Sequence, residues 1–389
     1  MVNAGAAAGA RPFRIVIVGP FFWPQREGVE KVMLSHARHL VARGHEVHVV
    51  TSFLQFPRGA FEGLPAEETH EGIRIHRLKV LVRKPHWRFS YLSNGGLIIP
   101  GLSRLLADLD ADIYHAHQIA APAWAHAAAW VAWRKGRKFF YSPHWHPSEG
   151  EETAFSASIV RALNRLPLAT ARRIFHLTSR DFAGFAAEFP RADRSRFVVL
   201  HNGVEPARPL PPRAPDGRFE ILFVGRVDSP IKGFDLLRAA FAAARRENWR
   251  LTVIGRISEE TKASLEAEFG TAVRVLGPVA EERLEQAYAA ADLFVMPSRY
   301  EGFGMPYIEA MRYGCAVVGT AVGGVPEVVP EGTGILVPPE DVPALASALT
   351  TLADDAALRT RLGEAGRGWA QRFLWPAIID RLEEAYRTA

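Results

Sequence analysis

The chain has 389 residues, 48% hydrophobic, 10% aromatic and 23% charged, which is too long for one ordinary core and excludes disorder or coiled coil for its bulk. Its single cysteine, Cys315, excludes an internal disulfide and suits a reducing compartment. The net charge of +5 divides into +10 over residues 1–200 and −5 over residues 201–389, and thirteen of the fourteen histidines lie in the first half. A basic half suggests an anionic partner such as lipid headgroups, with scattered surface arginine as the plain alternative. The N-terminus has no apolar stretch after a basic start, and no run of 18 apolar residues occurs, so neither a secretory signal nor a membrane span is expected.

In chain order, Arg14–Val18, Glu46–Val50, Ile73–Leu78, Asp112–Ala116, Lys138–Ser142 and Arg173–Leu177 read as strands. Helical stretches lie between several of them, such as Gly28–Arg43, which ends at a capping glycine, Gly44. Pro206–Gly217 carries five prolines in twelve residues and continues neither helix nor central strand. The strand–helix alternation then restarts with Phe219–Val224, Arg250–Ile254, Ala272–Leu276, Ala291–Met296, Ala316–Gly319 and Gly334–Val337. Near-continuous apolar strands alternating with helices predict parallel sheets covered on both faces. The fold class is therefore α/β, with two Rossmann-like doubly wound domains facing a cleft. The expected division is a tail over 1–12, a domain over 13–205, a linker over 206–217, a second domain over 218–372, and a last helix over 373–389 that crosses back to the first domain.

The richest stretch is Pro297–Val329, PSRYEGFGMPYIEAMRYGCAVVGTAVGGVPEVV. It follows a predicted strand, at the carboxyl end where open α/β sheets bind ligands. Gly302 and Gly304 let a ligand approach the backbone closely. Pro306 suits the first position of a helix, whose free N–H groups make an anion site. Glu301 and Glu309 flank this turn. Carboxylates repel phosphate but accept strongly from sugar or ribose hydroxyls. The structural alternative is a turn cap for Glu301 and dipole compensation for Glu309.

The second stretch is Phe223–Leu237, FVGRVDSPIKGFDLL. Arg226 stands just past a strand and Lys232 six residues on. Two cations there suit a diphosphate leaving group and its developing charge. Solvated charges in an ordinary loop are the alternative. Neither stretch is a dehydrogenase nucleotide fingerprint or a Walker A loop.

With these motifs in view, the chain resembles the retaining nucleotide-sugar glycosyltransferases of the GT-B fold, in the family 4 group. Glu301 and Glu309 match the Glu-x7-Glu motif, and Arg226 and Lys232 match the strand–Gly-Arg–Lys signature. HNGVEP at His201–Pro206 and the GGVPEVV stretch are similar as well. The resemblance implies that Arg226 and Lys232 bind the donor diphosphate, aided by backbone N–H groups across Phe303, Gly304, Met305 and Pro306. It implies that Glu301 contacts the donor sugar and Glu309 the ribose, with Arg256 and Val279 bordering the base. The family's Gly-Gly turn after the first strand is reduced here to Gly28, with Glu27 in place of the first glycine. Glu30 reads as a solvated or capping carboxylate.

A family histidine beside the reacting sugar is matched by His144 in FFYSPHWHPSEG. The spacing of two between His144 and His146 is taken to set such side chains apart, which argues against a shared metal. His115 and His117, equally spaced, read as packing residues at a strand end. The Asp108–Asp112 run DLDAD precedes a strand and reads as a solvated helix end. Lys79–Phe89, which mixes cations with Trp87 and Phe89, suits a lipid-linked acceptor at an anionic surface or a loop covering the acceptor. Nucleic acid is disfavoured, since no module for it accompanies the patch.

The resulting expectation is a metal-independent retaining transferase that takes a UDP- or GDP-hexose and delivers it to a glycan or lipid-linked acceptor. It would need no cofactor, and would sit in the cytoplasm, in part at the inner membrane face. A GT-B-fold epimerase or phosphorylase and a non-catalytic relative are the alternatives. A pyridoxal-phosphate phosphorylase is disfavoured because residues 218–389 hold only Lys232 and Lys262.

Overall fold

The computed structural model describes residues 11–25, 28–55, 59–81, 96, 98–145, 154–211, 213 and 216–389. They form two compact units. One comprises the chain up to His201 together with Ile378–Ala389, and the other is Asn202–Ala377.

The first unit is built on an eight-stranded sheet. In chain order its elements are β1 (Arg14–Val18), α1 (Val29–Ala42), β2 (Glu46–Ser52), β3 (Glu67–His70), β4 (Ile73–Leu78), α2 (Leu102–Leu109), β5 (Ile113–His117), α3 (Pro122–Arg134), β6 (Lys138–Ser142), α4 (Ala154–Thr170), β7 (Arg173–His176), α5 (Ser179–Glu188) and β8 (Phe197–Val199). The spatial order is β3-β4-β2-β1-β5-β6-β7-β8. β1 lies between β2 and β5 in parallel register, with Ile15 opposite both Val47 and Ile113. Ile15–Val18 are all buried, as expected of a strand covered on both faces.

Two strands depart from the sequence expectation. β3 pairs antiparallel with β4 at the sheet edge. Its residues, EETH, alternate between exposed and half-buried, so it presents no apolar run to read. β8 is three half-buried residues, too short for a periodic signal.

The second unit carries β9 (Phe219–Val224), α6 (Phe234–Ala244), β10 (Trp249–Ile254), α7 (Glu259–Phe269), β11 (Val273–Gly277), α8 (Glu281–Ala290), β12 (Leu293–Met296), α9 (Met305–Met311), β13 (Ala316–Thr320), α10 (Val325–Val328), β14 (Ile335–Val337), α11 (Val342–Asp354) and α12 (Ala356–Ala370). Its six strands are all parallel, in the order β11-β10-β9-β12-β13-β14. The described part of the proline-rich stretch is pinned rather than loose. The Arg213 guanidinium donates to the Ala290 carbonyl at 2.8 Å and to Asp292 Oδ2 at 3.1 Å.

The last helix, α13 (Trp375–Thr388), enters the first unit from Ile378 onward. Ile378, Ile379, Leu382 and Tyr386 are fully buried and recur at three- to four-residue spacing, so they form one apolar stripe. Among the described residues no helix is long and apolar enough to cross a membrane.

Candidate functional site

In the second unit the order of strands reverses between β9 and β12, which pair side by side through Leu293–Ile221 and Phe294–Leu222. The loops leaving their carboxyl ends therefore part at a topological switch point, the place where open α/β sheets bind ligands. One loop, 225–233, holds Arg226 and Lys232, and the other, 297–304, holds Glu301. Arg256 after β10 and Val279 after β11 stand on the same edge, because all these strands are parallel.

The centre of the arrangement is an ion pair. Lys232 Nζ donates to Glu301 Oε2 at 2.6 Å, with the two side chains 19% and 13% exposed. Ser298 Oγ points to the same carboxylate oxygen at 3.5 Å. Lys232 closes a short 3-10 turn (Pro230–Lys232) and is followed by Gly233 in the left-handed region at φ 64°. A Cβ on Gly233 would lie 1.9 Å from the Pro297 carbonyl oxygen, so only glycine lets the lysine loop pack against the β12 exit. Gly323, at φ 53°, does the same for the glutamate loop. Its missing Cβ would fall 1.8 Å from the Glu301 carbonyl oxygen, which instead accepts the Gly324 N–H at 3.0 Å.

Arg299 ties the two loops together. Its guanidinium donates to both Asp235 oxygens at 2.7 Å, to Glu340 at 2.6 and 3.0 Å, and to the Pro230 carbonyl at 2.8 Å. Its backbone N–H donates to the Ile231 carbonyl at 2.8 Å. These two carboxylates hold the guanidinium further above its usual range, and the guanidinium in turn lowers Asp235. Beneath the site, buried Tyr307 donates to the Met296 carbonyl and Thr320 Oγ1 to the Ser298 carbonyl. Sequence reading missed Arg299, Tyr307 and the Gly323–Glu301 contact. The only signal was their position inside the glycine-rich stretch, since their partners lie 11 to 69 residues away.

The remaining predicted residues fall as follows. Gly302 and buried Phe303 lead to Gly304, which caps α9 in the left-handed region. Met305 is the first helical residue and Pro306 the second, one place later than the sequence suggested. Pro306 has no N–H and the Tyr307 N–H is taken by the Gly304 carbonyl, so neither is open to an anion at this turn. Half-buried Glu309 accepts from Tyr288 Oη at 2.9 Å. Burial presses the Tyr288 hydroxyl well above its usual value, and the Glu309 carboxylate adds to the rise. Arg226 is exposed, and no side-chain partner for it occurs among the described residues. Arg256 is exposed and Val279 half-buried.

In the first unit, Gly28 caps α1 at φ 54°. Glu30, expected in solvent or as a cap, is instead buried at 5% exposure in the first turn of that helix, where the helix dipole favours a carboxylate. His144 lies two residues beyond β6 at φ 45°, and its Nε2 is 2.9 Å from His117 Nδ1. His115 and His117 are both fully buried in β5, with ring centroids 4.4 Å apart. The expectation that histidines two apart diverge is overturned, because alternate residues of a strand share a face. His146, Glu27 and all of Lys79–Phe89 beyond Leu81 lie outside the described residues. Asp110 of the DLDAD run ends α2 and pairs with Lys135 at 2.8 Å and Arg137 at 3.2 Å.

Residues 218–355 match the family described as Glycosyl transferases group 1, and residues 27–203 match the Glycosyl transferase 4-like domain. A D-inositol 3-phosphate glycosyltransferase from Kineococcus radiotolerans is 36% identical over 233 residues, covering 51% of this chain and 53% of that one. The chain thus spans about half the length of that relative. A GDP-mannose-dependent alpha-mannosyltransferase from Mycolicibacterium smegmatis is 30% identical over 391 residues, covering 95% of this chain and 96% of that one. Among solved structures, Anabaena HepE in complex with UDP and glucose superposes with a TM-score of 0.71 at 19% identity, covering 97% of this chain and all of the other. That likeness is one of fold. Two doubly wound sheets with a Lys–Glu pair at the switch point of the second, matched end to end by a relative at 30% identity, make this chain a GT-B-fold member of the glycosyl transferases group 1 family.

Proposed function

We propose that the chain is a retaining hexosyltransferase, moving a hexose from a nucleotide-diphosphate sugar to a hydroxyl of a glycan or lipid-linked acceptor. The observation that carries this reading is the Lys232–Glu301 pair at the switch point. A sugar diphosphate presents an anion and a polyol side by side, and a lysine touching a glutamate offers a cation and a hydroxyl acceptor side by side. Arg226, exposed on the same loop, adds a second cation for the diphosphate. Glu309 serves the ribose, Arg256 and Val279 border the base, and His144 stands beside the reacting sugar. In the transfer, the C1–O bond to the diphosphate breaks and a C1–O bond to the acceptor forms on the same face. The acceptor's proton passes to the departing phosphate oxygen. The two cations stabilise the charge that develops on that group, with no metal ion called upon. The names of the relatives support a UDP- or GDP-sugar as donor.

The test is a melting-temperature series with UDP, GDP, ADP, TDP and NAD, with and without magnesium. At 100 times its dissociation constant the preferred diphosphate should add about 2.7 kcal/mol of stability. Lys232→Ala should weaken that binding by roughly 10- to 100-fold, the scale of a charge-assisted hydrogen bond. A flat response would point to a non-catalytic relative, a response to NAD alone would overturn the reading, and turnover of sugar nucleotide without glycosylated acceptor would point to an epimerase.

A lipid-side location of the acceptor has its own support. On α3, Trp130 and Trp133 are 40% and 60% exposed, with ring centroids 5.4 Å apart and the Arg134 guanidinium 5.6 Å from the Trp130 ring. Trp130 borders a cavity of about 620 Å³ whose lining includes Ile99, Leu102 and Leu163. Paired aromatics with a cation suit the headgroup level of an anionic membrane.

A further inference from the structure

Behind β5 the first unit encloses a cluster that the transfer chemistry does not use. His36 of α1 and His115 and His117 of β5 are 3%, 0% and 0% exposed. One ring nitrogen from each can be chosen so that all three lie within 4.8 Å of one another. His117 Nε2 is buried and has no hydrogen-bond partner, while its Nδ1 faces His144 Nε2 at 2.9 Å. A sealed imidazole nitrogen without a partner forfeits about 1–3 kcal/mol, which calls for a ligand or another explanation.

We propose that His36, His115 and His117 form a binding site for one divalent transition-metal ion, zinc by ligand chemistry. Three imidazoles with neither carboxylate nor thiolate are the donor set that zinc accepts readily. Tetrahedral zinc with nitrogens at 2.0–2.1 Å separates them by about 3.3 Å, so the nitrogens close in by up to about 1.5 Å.

The surroundings supply the outer contacts that orient metal-binding histidines. His115 Nδ1 is 2.7 Å from Tyr386 Oη and its Nε2 is 2.8 Å from Ser142 Oγ. One hydroxyl yields its nitrogen to the ion and the other keeps the tautomer. With His117 Nε2 on the metal, its Nδ1–H donates to His144, so the ion also fixes the hydrogen bond that His144 receives. Cys315, the one thiol, belongs to the other unit and plays no part.

The experiment uses the full chain, stripped with chelator and dialysed, then titrated with zinc or cobalt(II). One ion per chain, a raised melting temperature and a zinc X-ray absorption spectrum with three imidazole ligands are expected. His36→Gln, checked for folding by circular dichroism, should weaken binding at least tenfold, and His39→Gln on the same helix should not. No binding, fewer than three imidazoles in the wild-type spectrum, or undiminished binding by folded His36→Gln would each overturn the site. The absorption spectrum of the wild type decides the matter even if the variant does not fold. None of these readouts depends on glycosyl transfer.

Discussion

Lys232 and Glu301 are separated by 69 residues, yet each was legible from its own neighbourhood, because a charge in a glycine-bearing loop after an apolar strand is a local pattern. Their pairing was not legible. Two roles that sequence reading assigned separately, phosphate for one and sugar for the other, turn out to share one 2.6 Å contact. The same scale shows the cost of a polar ring in an apolar box. His176 is buried among Phe182, Phe185 and Phe197, its Nε2 has no partner, and desolvation lowers it to about 4. The native state keeps this ring neutral while the unfolded chain protonates it below about 6.5. Stability from this source is therefore whole above 6.5 and drains as pH falls toward 4, at about 1.4 kcal/mol per pH unit. Between pH 7.5 and pH 5, His176→Leu should remove about 2 kcal/mol of the pH-dependent loss measured by urea midpoints. Equal losses in variant and wild type would show that the ring is not buried neutral.

Among elements, β1, β4, β6 and β9, each of five or six residues, begin and end where sequence reading placed them. The edge strands of the first sheet escaped, as β3 and β8 bury little and so need few apolar side chains. Helix α13 shows a different limit. Its stripe announces a buried face, but which surface it meets is decided by particular contacts. Glu383 accepts from the Arg43 guanidinium, its Oε1 lies 2.6 Å from His45 Nε2, and Tyr386 Oη meets His115. Burial acts against the Glu383 carboxylate, yet Arg43 and His45 hold it below its usual value. Tyr386→Phe leaves a sealed imidazole nitrogen unpaired and should cost about 1–3 kcal/mol. For a domain of this size that is a fall of several degrees in melting temperature by calorimetry. An unchanged transition would mean that His115 finds another partner.

For the whole molecule, the charge division of +10 and −5 frames where an anionic surface would meet the chain. Wild-type protein should co-sediment with phosphatidylglycerol–phosphatidylcholine vesicles and be released by salt. Trp130→Ser with Trp133→Ser should reduce the bound fraction several-fold at low salt. Sedimentation that the double variant leaves untouched would move the lipid contact off α3.

The amino-acid sequence by itself determined the two α/β halves, the switch-point loops and the charged residues those loops carry. Each of those rests on a pattern within a few residues: apolar runs for strands, glycines for tight exits, charges placed just beyond them. Only the tertiary structure decided which charges touch, that Arg299 binds the two loops together, and that histidines from α1 and β5 converge behind the sheet. Periodicity tells which face a side chain takes, whereas its neighbour across that face comes from another part of the chain.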